Sequence, residues 1–332
     1  KMPWKGEKDP YKIWLSEIIL QQTRVTQGLA YYNRFIKNFP TIEKLAKAAD
    51  KKVFKLWEGL GYYSRCKNLL STARFIVEEN KGKFPDKYNE ILALKGIGPY
   101  TAAAIASFAF NQPYAVLDGN VYRVLSRFFA IDIPIDSNTG KKEFAILAGE
   151  LLDKSEPAAY NQAIMDFGAV ICKPQNPLCA ACVLQHKCAA LKLRLVNSLP
   201  VKEKRIVKRV RWFYYFLVKY RGRIYVGKRG PNDIWENLYQ FILLEQSQEL
   251  ATGDLDKSKL LRLVLGNVLP QNVTISKIYK QQLTHQSVQG RFIQLSINKP
   301  LLLKGYKAVG EKELKKLPFP KFITAYLLEN NL

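Results

Sequence analysis

Apolar positions recur at helical spacing from residue 9 to about 171, a pattern that predicts a run of successive helices. Asp9-Pro10 supplies an N-cap and a first-turn proline ahead of Ile13, Trp14, Ile18 and Leu20. Further helices are predicted over about 41–49, 64–80, 86–94, 100–109, 121–130, 141–153 and 157–171, with short breaks at Gly59-Leu60-Gly61, Gly96-Ile97-Gly98 and Asp118-Gly119-Asn120. Beyond residue 211 the texture changes. Strands are predicted over 212–220, 223–228, 239–245, 275–282 and 292–298, with helices near 256–265 and 311–330. The expected organisation is a mainly α region over 1–190, a basic linker over 191–210 and an α/β domain over 211–332, with no internal repeat.

Composition narrows the partners. Apolar residues make up 48% of the 332, so the basic residues decorate a packed surface rather than a disordered polycation. Lys and Arg number 52 against 28 Asp and Glu, and the net charge of +24 favours polyanions, nucleic acid first and an anionic membrane second. The linker concentrates this charge, carrying Lys192, Arg194, Lys202, Lys204, Arg205, Lys208 and Arg209, with Arg211 just beyond, against the single acid Glu203. No stretch approaches the ~20 apolar residues of a bilayer span, and no leader precedes Pro3 and Trp4, so an intracellular protein without a membrane partner is expected. Because Lys1 stands directly before a motif, a short N-terminal piece is expected to precede it.

Three features carry chemistry. Leu94 to Ala102 places two glycines between an apolar helix and one rich in alanine, so a tight turn can expose backbone N–H groups at a helix N-terminus to a phosphate oxygen. That is the content of a helix-hairpin-helix element, although a short LxGxG is also compatible with an ordinary helix turn. Cys172, Cys179, Cys182 and Cys188 form C-x6-C-x2-C-x5-C, a sulfur-only set that fits tetrahedral zinc or a 4Fe-4S cluster. Only the middle pair is close; with the preceding helical hairpin this favours an iron-sulfur cluster of structural role. Cys66, remote in a helical run, reads as buried filler.

The third feature is a pair of carboxylates. Glu17 shares a helical face with Ile13 and Leu20, and apolar surroundings would raise its pKa and make it a general acid; the competing reading is a rim residue paired with a lysine. Asp118 precedes a predicted helix start, a setting that favours the anion and equally suits a simple cap. Together they match the needs of glycoside chemistry, a protonated acid for the leaving group and an ionised carboxylate for the positive sugar. With only His186 and His285 in the chain, a histidine mechanism has little material.

At this point the sequence resembles the adenine DNA glycosylase (MutY) family of the endonuclease III-like helix-hairpin-helix superfamily. The matching segments are Pro3-Trp4, Asp9-Pro10-Tyr11, Trp14 to Glu17, Leu20 to Val25, Gly59 to Arg65, Leu94 to Ala102, Val116 to Arg127, Asn161-Gln162-Ala163 and the four cysteines. The resemblance implies removal of adenine opposite 8-oxoguanine in duplex DNA by a bacterial enzyme of the cytoplasm or nucleoid, acting as a monomer with a 4Fe-4S cofactor. It assigns Glu17 to protonate the adenine ring, Asp118 to stabilise the sugar cation or add to it, Asn120 to orient the carboxylates and Tyr100 to contact the sugar side. Bifunctional relatives carry a nucleophilic lysine where Tyr100 stands, so no efficient strand cleavage is implied. Trp4, Lys5, Leu20, Val25 and Gln162 are implied to line the adenine pocket, with Lys5 replacing a common arginine. Gln22, Leu60 and Tyr62 would occupy or wedge the base stack, and Gly96 and Gly98 would meet the backbone. The C-terminal domain resembles a Nudix-like (MutT-like) fold without the RExxEE catalytic box, kept for binding 8-oxoguanine. There Leu283-Thr284-His285 corresponds to the family's Phe-Ser-His signature, with Leu283 departing from the aromatic. The rival reading is an endonuclease III-like glycosylase/lyase acting on oxidised pyrimidines; a second is a noncatalytic DNA-damage binding protein.

Overall fold

A computed structural model describes residues 2–203, 208–251, 253 and 258–332. Lys1, Lys204 and Arg205 of the basic linker, and residues 256–257 of a predicted helix, lie outside the described residues. The chain divides into two compact units, one drawn from Lys1–Lys47 and Asn68–Arg205, the other from Ala48–Lys67 and Ile206–Leu332.

The first unit is helical. It contains α1 (Pro10–Leu20), α2 (Val25–Asn38) and α3 (Ile42–Ala46); then, after the segment belonging to the other unit, most of α5 (Tyr63–Glu79), α6 (Tyr88–Ala93), α7 (Pro99–Phe110), α8 (Gly119–Phe129), α9 (Asn138–Leu151), α10 (Pro157–Val170) and α11 (Ala189–Lys192). Asp9 caps α1 as its sequence predicts, its side chain accepting from the Tyr11 backbone N–H at 2.9 Å. A core of Ala103, Ala104, Val116, Val121, Leu125 and Phe144 joins α7, α8 and α9. Small alanines on α7 let its neighbours approach closely, and α1, α6 and α10 all pack against it. Helix α2 is additional to the predicted set.

The second unit is a mixed sheet with helices on both faces. Its strands are β1 (Arg209–Tyr220), β2 (Arg223–Lys228), β3 (Tyr239–Gln240), β4 (Ile242–Gln246), β5 (Pro270–Ile275), β6 (Tyr279–Gln282), β7 (Gln286–Ile297) and β8 (Tyr306–Val309). The main path runs β3-β2-β1-β7-β5, with β4 on β1, β6 on β7 and β8 on β2. The helices are α12 (Ser258–Leu265), α13 (Glu311–Leu314) and α14 (Lys321–Glu329). Strand β1 is buried from Trp212 to Val218 because side chains alternate between two covered faces. Trp212, Tyr214, Phe216 and Val218 share a core with Leu261, Val264 and Leu265 of α12. Tyr215, on the opposite face, meets Phe322 of α14, with ring centroids 6.1 Å apart, and stacks on Phe292 of β7.

The segment Ala48–Lys67 contributes α4 (Asp50–Trp57), another helix additional to the prediction, and the turn leading into α5. It is tied to the rest of this unit at several points. Lys55 Nζ donates to the Leu317 carbonyl at 3.0 Å, Glu58 Oε1 accepts from the Phe319 N–H at 2.8 Å, and Lys67 pairs with Glu236 at 2.6 Å.

Strands β1 and β7 run parallel with Phe213 opposite Gly290. A Cβ added at Gly290 would sit 1.8 Å from the Phe213 carbonyl oxygen, an obstruction made of backbone. Gly290→Ala is therefore expected to cost more than about 3 kcal/mol, or to prevent folding of this unit, as read by urea unfolding.

Candidate active site

Glu17 lies on the last full turn of α1, facing the start of α7 and the approach to α8. Its side chain keeps some contact with solvent while protein atoms surround most of it. Loss of hydration raises its pKa to about 7; a hydrogen bond from the Tyr100 hydroxyl opposes the rise, and the negative charge of Asp118 adds to it. The Tyr100 phenol is itself pushed well above its ordinary value by burial and by Glu17, so it remains a donor. Glu17, Tyr100 and Asp118 thus form one electrostatic group, contributed by α1, α7 and the N-terminus of α8.

Asp118 is the N-cap of α8. One carboxylate oxygen accepts from the backbone N–H groups of Asn120 and Val121, each at 2.8 Å, and the other from the Asn120 side-chain amide at 2.7 Å. Three donors at a helix N-terminus suit an anion. The capping role and the placement beside Glu17 are therefore properties of one geometry, not alternatives.

Several residues that build this site were outside the predicted set. Asn161, buried to 1% exposure, donates to the Tyr114 carbonyl at 2.8 Å and accepts from the Val116 N–H at 3.1 Å, fixing the extended segment that delivers Asp118. Arg123 donates to Asn120 Oδ1 at 2.8 Å and to the carbonyls of Gly168 and Cys172 at 2.7 and 2.6 Å. Gly168 lets α10 approach, since a Cβ there would lie 2.7 Å from that of Asn120. Asn161 belongs to a quoted motif, but its contacts are tertiary, as are those of the others, and no local spacing signals them.

Trp4 packs edge-on against Tyr32, with centroids 5.3 Å apart, and Leu20 closes against Gly28 of α2, where a Cβ would meet Leu20 at 2.7 Å. Val25 is exposed at the start of α2. Lys5 is paired with Asp166 of α10, which also receives the Gln162 amide. Gln22 is exposed beyond α1 with φ +52°. In the second unit Tyr62 also has a left-handed backbone, φ +48°, and is 43% exposed, while Leu60 is buried. The Tyr62 hydroxyl is hydrogen-bonded to the Thr284 hydroxyl. Leu283, Thr284 and the exposed His285 form the tight turn between β6 and β7, closed by the Leu283 N–H donating to the Gln286 carbonyl at 2.8 Å.

The hairpin joins α6 to α7 through Leu94–Gly98. Gly96 has φ +81°, and Thr72 Oγ1 holds the Lys95 carbonyl at 2.8 Å. Gly98 is the N-cap of α7 at φ −102°, an ordinary backbone value.

The 4Fe-4S expectation is corrected. Among the described residues no group of three or more His, Cys, Asp or Glu side chains is arranged to hold a metal ion. Cys172, Cys179, Cys182 and Cys188 are free thiols whose charges are felt mutually at Cys179, but two of them are engaged with Arg127. Arg127 Nη1 donates to Cys172 Sγ and Cys188 Sγ donates to the Arg127 carbonyl, both at 3.5 Å. The buried Arg127 guanidinium also binds the carbonyls of Lys173, Pro174 and Leu199, and so organises this region without a ligand shell. The spacing brings four sulfurs into one neighbourhood; it does not dictate their mutual orientation. Cys66 is fully buried, and burial raises its thiol pKa.

Residues 15–146, which enclose α1, the hairpin and Asp118, match the HhH-GPD superfamily of base excision DNA repair proteins. The chain resembles a solved thermostable thymine-DNA glycosylase at 29% identity and TM-score 0.54, over 58% of this chain and 89% of that one. It shares its fold with an endonuclease III solved with DNA, at 22% identity and TM-score 0.50, over 57% and 87% of the two chains. Fold and hairpin thus define the class. An adenine DNA glycosylase of Buchnera aphidicola subsp. Baizongia pistaciae is 36% identical over 310 residues, covering 90% of this chain and 82% of that protein. The human adenine DNA glycosylase is 41% identical over 57% of this chain and 36% of its own length. The chain belongs to the adenine DNA glycosylase family.

Three outcomes follow from this geometry. Gly96→Ala is expected to lose about 2 kcal/mol, because its backbone is left-handed and a Cβ would lie 2.7 Å from that of Asn68. Gly98→Ala meets nothing within 4 Å, so it should leave the melting temperature unchanged while weakening duplex binding by titration. For Glu17, the unfolded carboxyl ionises near 4.5 and the folded one near 7, so stability falls as pH rises across that window and then levels. Glu17→Gln should therefore be the more stable protein above pH 7, by no more than about 3 kcal/mol because the group keeps some solvent contact, and the gap should close below pH 4.5 in urea titrations.

Proposed function

We propose that this chain excises adenine mispaired with 8-oxoguanine, and with guanine, from duplex DNA by acid-assisted hydrolysis of the N-glycosidic bond. The observation that carries the reading is a Glu17 whose pKa is raised to about 7, hydrogen-bonded to Tyr100 and within the field of Asp118. After the base is flipped, protonated Glu17 gives its proton to an adenine ring nitrogen. The sugar–base bond then breaks with its electron pair leaving on the neutral base. Asp118 faces the resulting oxocarbenium-like sugar, or adds to it, and Asn120 holds that carboxylate in place. Ionised Glu17 accepts a proton as water adds to the sugar, which restores the acid. Tyr100 offers a hydroxyl and no amine, so no Schiff base forms and the strand stays uncut.

The remaining assignments follow the same reading. Trp4, Lys5, Leu20, Val25 and Gln162 line the adenine pocket. Gln22, Tyr62 and Leu60 serve the base stack, where exposed left-handed residues carry strain of about 1–3 kcal/mol each that contact with DNA can offset. Gly96 and Gly98 present the hairpin to a phosphate. The C-terminal domain, 211–332, is Nudix-like and reads 8-oxoguanine through Thr284 and His285 beside Leu283; its mixed sheet between helices and the Tyr62–Thr284 bond support this. The glycosylase region is 1–190, with 191–210 as a basic linker along the DNA backbone. The protein acts as a monomer inside the cell, in a bacterial cytoplasm or nucleoid; among the described residues no helix is long and apolar enough to cross a membrane.

The test is single-turnover base release from duplexes holding adenine opposite 8-oxoguanine or thymine glycol opposite adenine, with strands analysed before and after alkali. The expected result is release of adenine only, breaks only after alkali, and a rate that declines as pH rises through about 7. Glu17→Gln should lower that rate by about 10²–10⁴ while lesion binding persists. Faster release of thymine glycol would establish the endonuclease III-like reading instead.

A further inference from the structure

Gln162 and Asp166 stand one turn apart on α10, on the same face of the helix. Gln162 Nε2 donates to Asp166 Oδ1 at 3.0 Å, and Lys5 Nζ meets the other oxygen, Oδ2, at 2.5 Å. The chemistry of this chain of contacts has one direction. An ammonium only donates and a carboxylate only accepts, so the Gln162 carboxamide must turn its NH₂ group toward Asp166. An amide orientation often rests on a choice between two nearly equal fits, but here the partner leaves one. The Gln162 carbonyl oxygen then points away from Asp166 and accepts from none of the described residues. Gln162 lies six residues before Gly168, which touches Asn120 of the catalytic group, a rise of about 9 Å along the helix.

We infer that Asp166, held by Lys5, is a positioning residue that sets the hydrogen-bonding polarity of Gln162, so that a carbonyl oxygen is offered to the flipped base and 6-aminopurines are selected over 6-oxopurines. This rests on the adenine reading above. Adenine carries an exocyclic amino donor at the position where hypoxanthine and guanine carry an oxygen acceptor. A fixed acceptor in the pocket pairs with the first and faces the second oxygen to oxygen, so it rejects as well as selects. Lys5 takes part through Asp166, by claiming the carboxylate oxygen that the amide does not use.

The ion pair is partly exposed, at 28% and 43% for the two side chains, so changing it is expected to disturb stability little. This makes polarity separable from folding. In Asp166→Asn, Lys5 can bind only the carbonyl end of the new amide, which leaves an NH₂ group facing Gln162. The Gln162 carboxamide then turns over, giving its oxygen to residue 166 and its NH₂ to the base.

The experiment measures single-turnover release of adenine and of hypoxanthine, each opposite 8-oxoguanine, in wild-type protein, Asp166→Asn, Asp166→Glu, and Gln162→Leu with and without Asp166→Asn. The expected adenine-to-hypoxanthine ratio falls about tenfold or more in Asp166→Asn. It recovers in Asp166→Glu, whose carboxylate again only accepts, and does not respond to Asp166→Asn once Gln162 is leucine. An unchanged ratio in Asp166→Asn at a wild-type melting temperature overturns the inference, as does an equal fall on the Gln162→Leu background. Wild-type protein that releases neither base rejects the adenine reading itself, and the inference with it.

Discussion

The site depends on keeping one carboxyl group short of water next to another that is richly hydrogen-bonded. Glu17 and Asp118 are chemically near-identical acids, and their surroundings differ sharply. Glu17 sits among protein atoms with the Tyr100 hydroxyl as a donor, and its pKa rises to about 7. Asp118 accepts three N–H donors at the start of α8. Either environment alone is common in proteins; the fold matters because it places both within reach of each other's charge.

That arrangement is held by residues other than the two acids themselves. Asn161 straightens the segment entering α8, Arg123 braces Asn120 against α10, and Gly168 removes the side chain that would push those helices apart. These contacts are polar and buried, so loss of one partner leaves another unsatisfied. Precision at Asp118 is thus set by the packing of α8 on α10 rather than by the aspartate's own rotamer alone. The same helix pair carries Gln162 and Asp166, one turn apart on α10.

Much of this was legible in the sequence where a single residue announces a boundary. Asp9-Pro10 marked α1, Gly96-Ile97-Gly98 the hairpin, and Asp118 the start of α8. The two helices absent from the prediction, α2 and α4, have Arg24 and Ala49 at their N-caps, neither of which caps with its side chain, so the chain gives no start signal there. The predicted strand 239–245 is divided between β3 and β4 around Phe241, and the predicted strand 292–298 starts earlier, at Gln286, where Gly290 lies opposite Phe213 of the parallel β1. Strand β8 carried no visible alternation of its own. The raised pKa of Glu17 was legible through its apolar helical face. Lys5 and Asp166 lie 161 positions apart and pair only through tertiary structure. The cysteines show the opposite failure, a spacing that invites a cluster where Arg127 and the backbone settle the loop instead.

The membership of Ala48–Lys67 in the second unit changes what counts as a module. A cut in the basic stretch near residue 200 would separate α4 and the turn bearing Tyr62 from Leu317, Phe319, Glu236 and Thr284, the residues they bind. The N-terminal fragment so obtained would carry a stranded piece of its neighbour, with bonding groups and apolar surface turned to solvent. A border drawn along the sequence and the border of the compact unit therefore differ in this chain, since the second unit takes a helix and a turn from within the first two hundred residues.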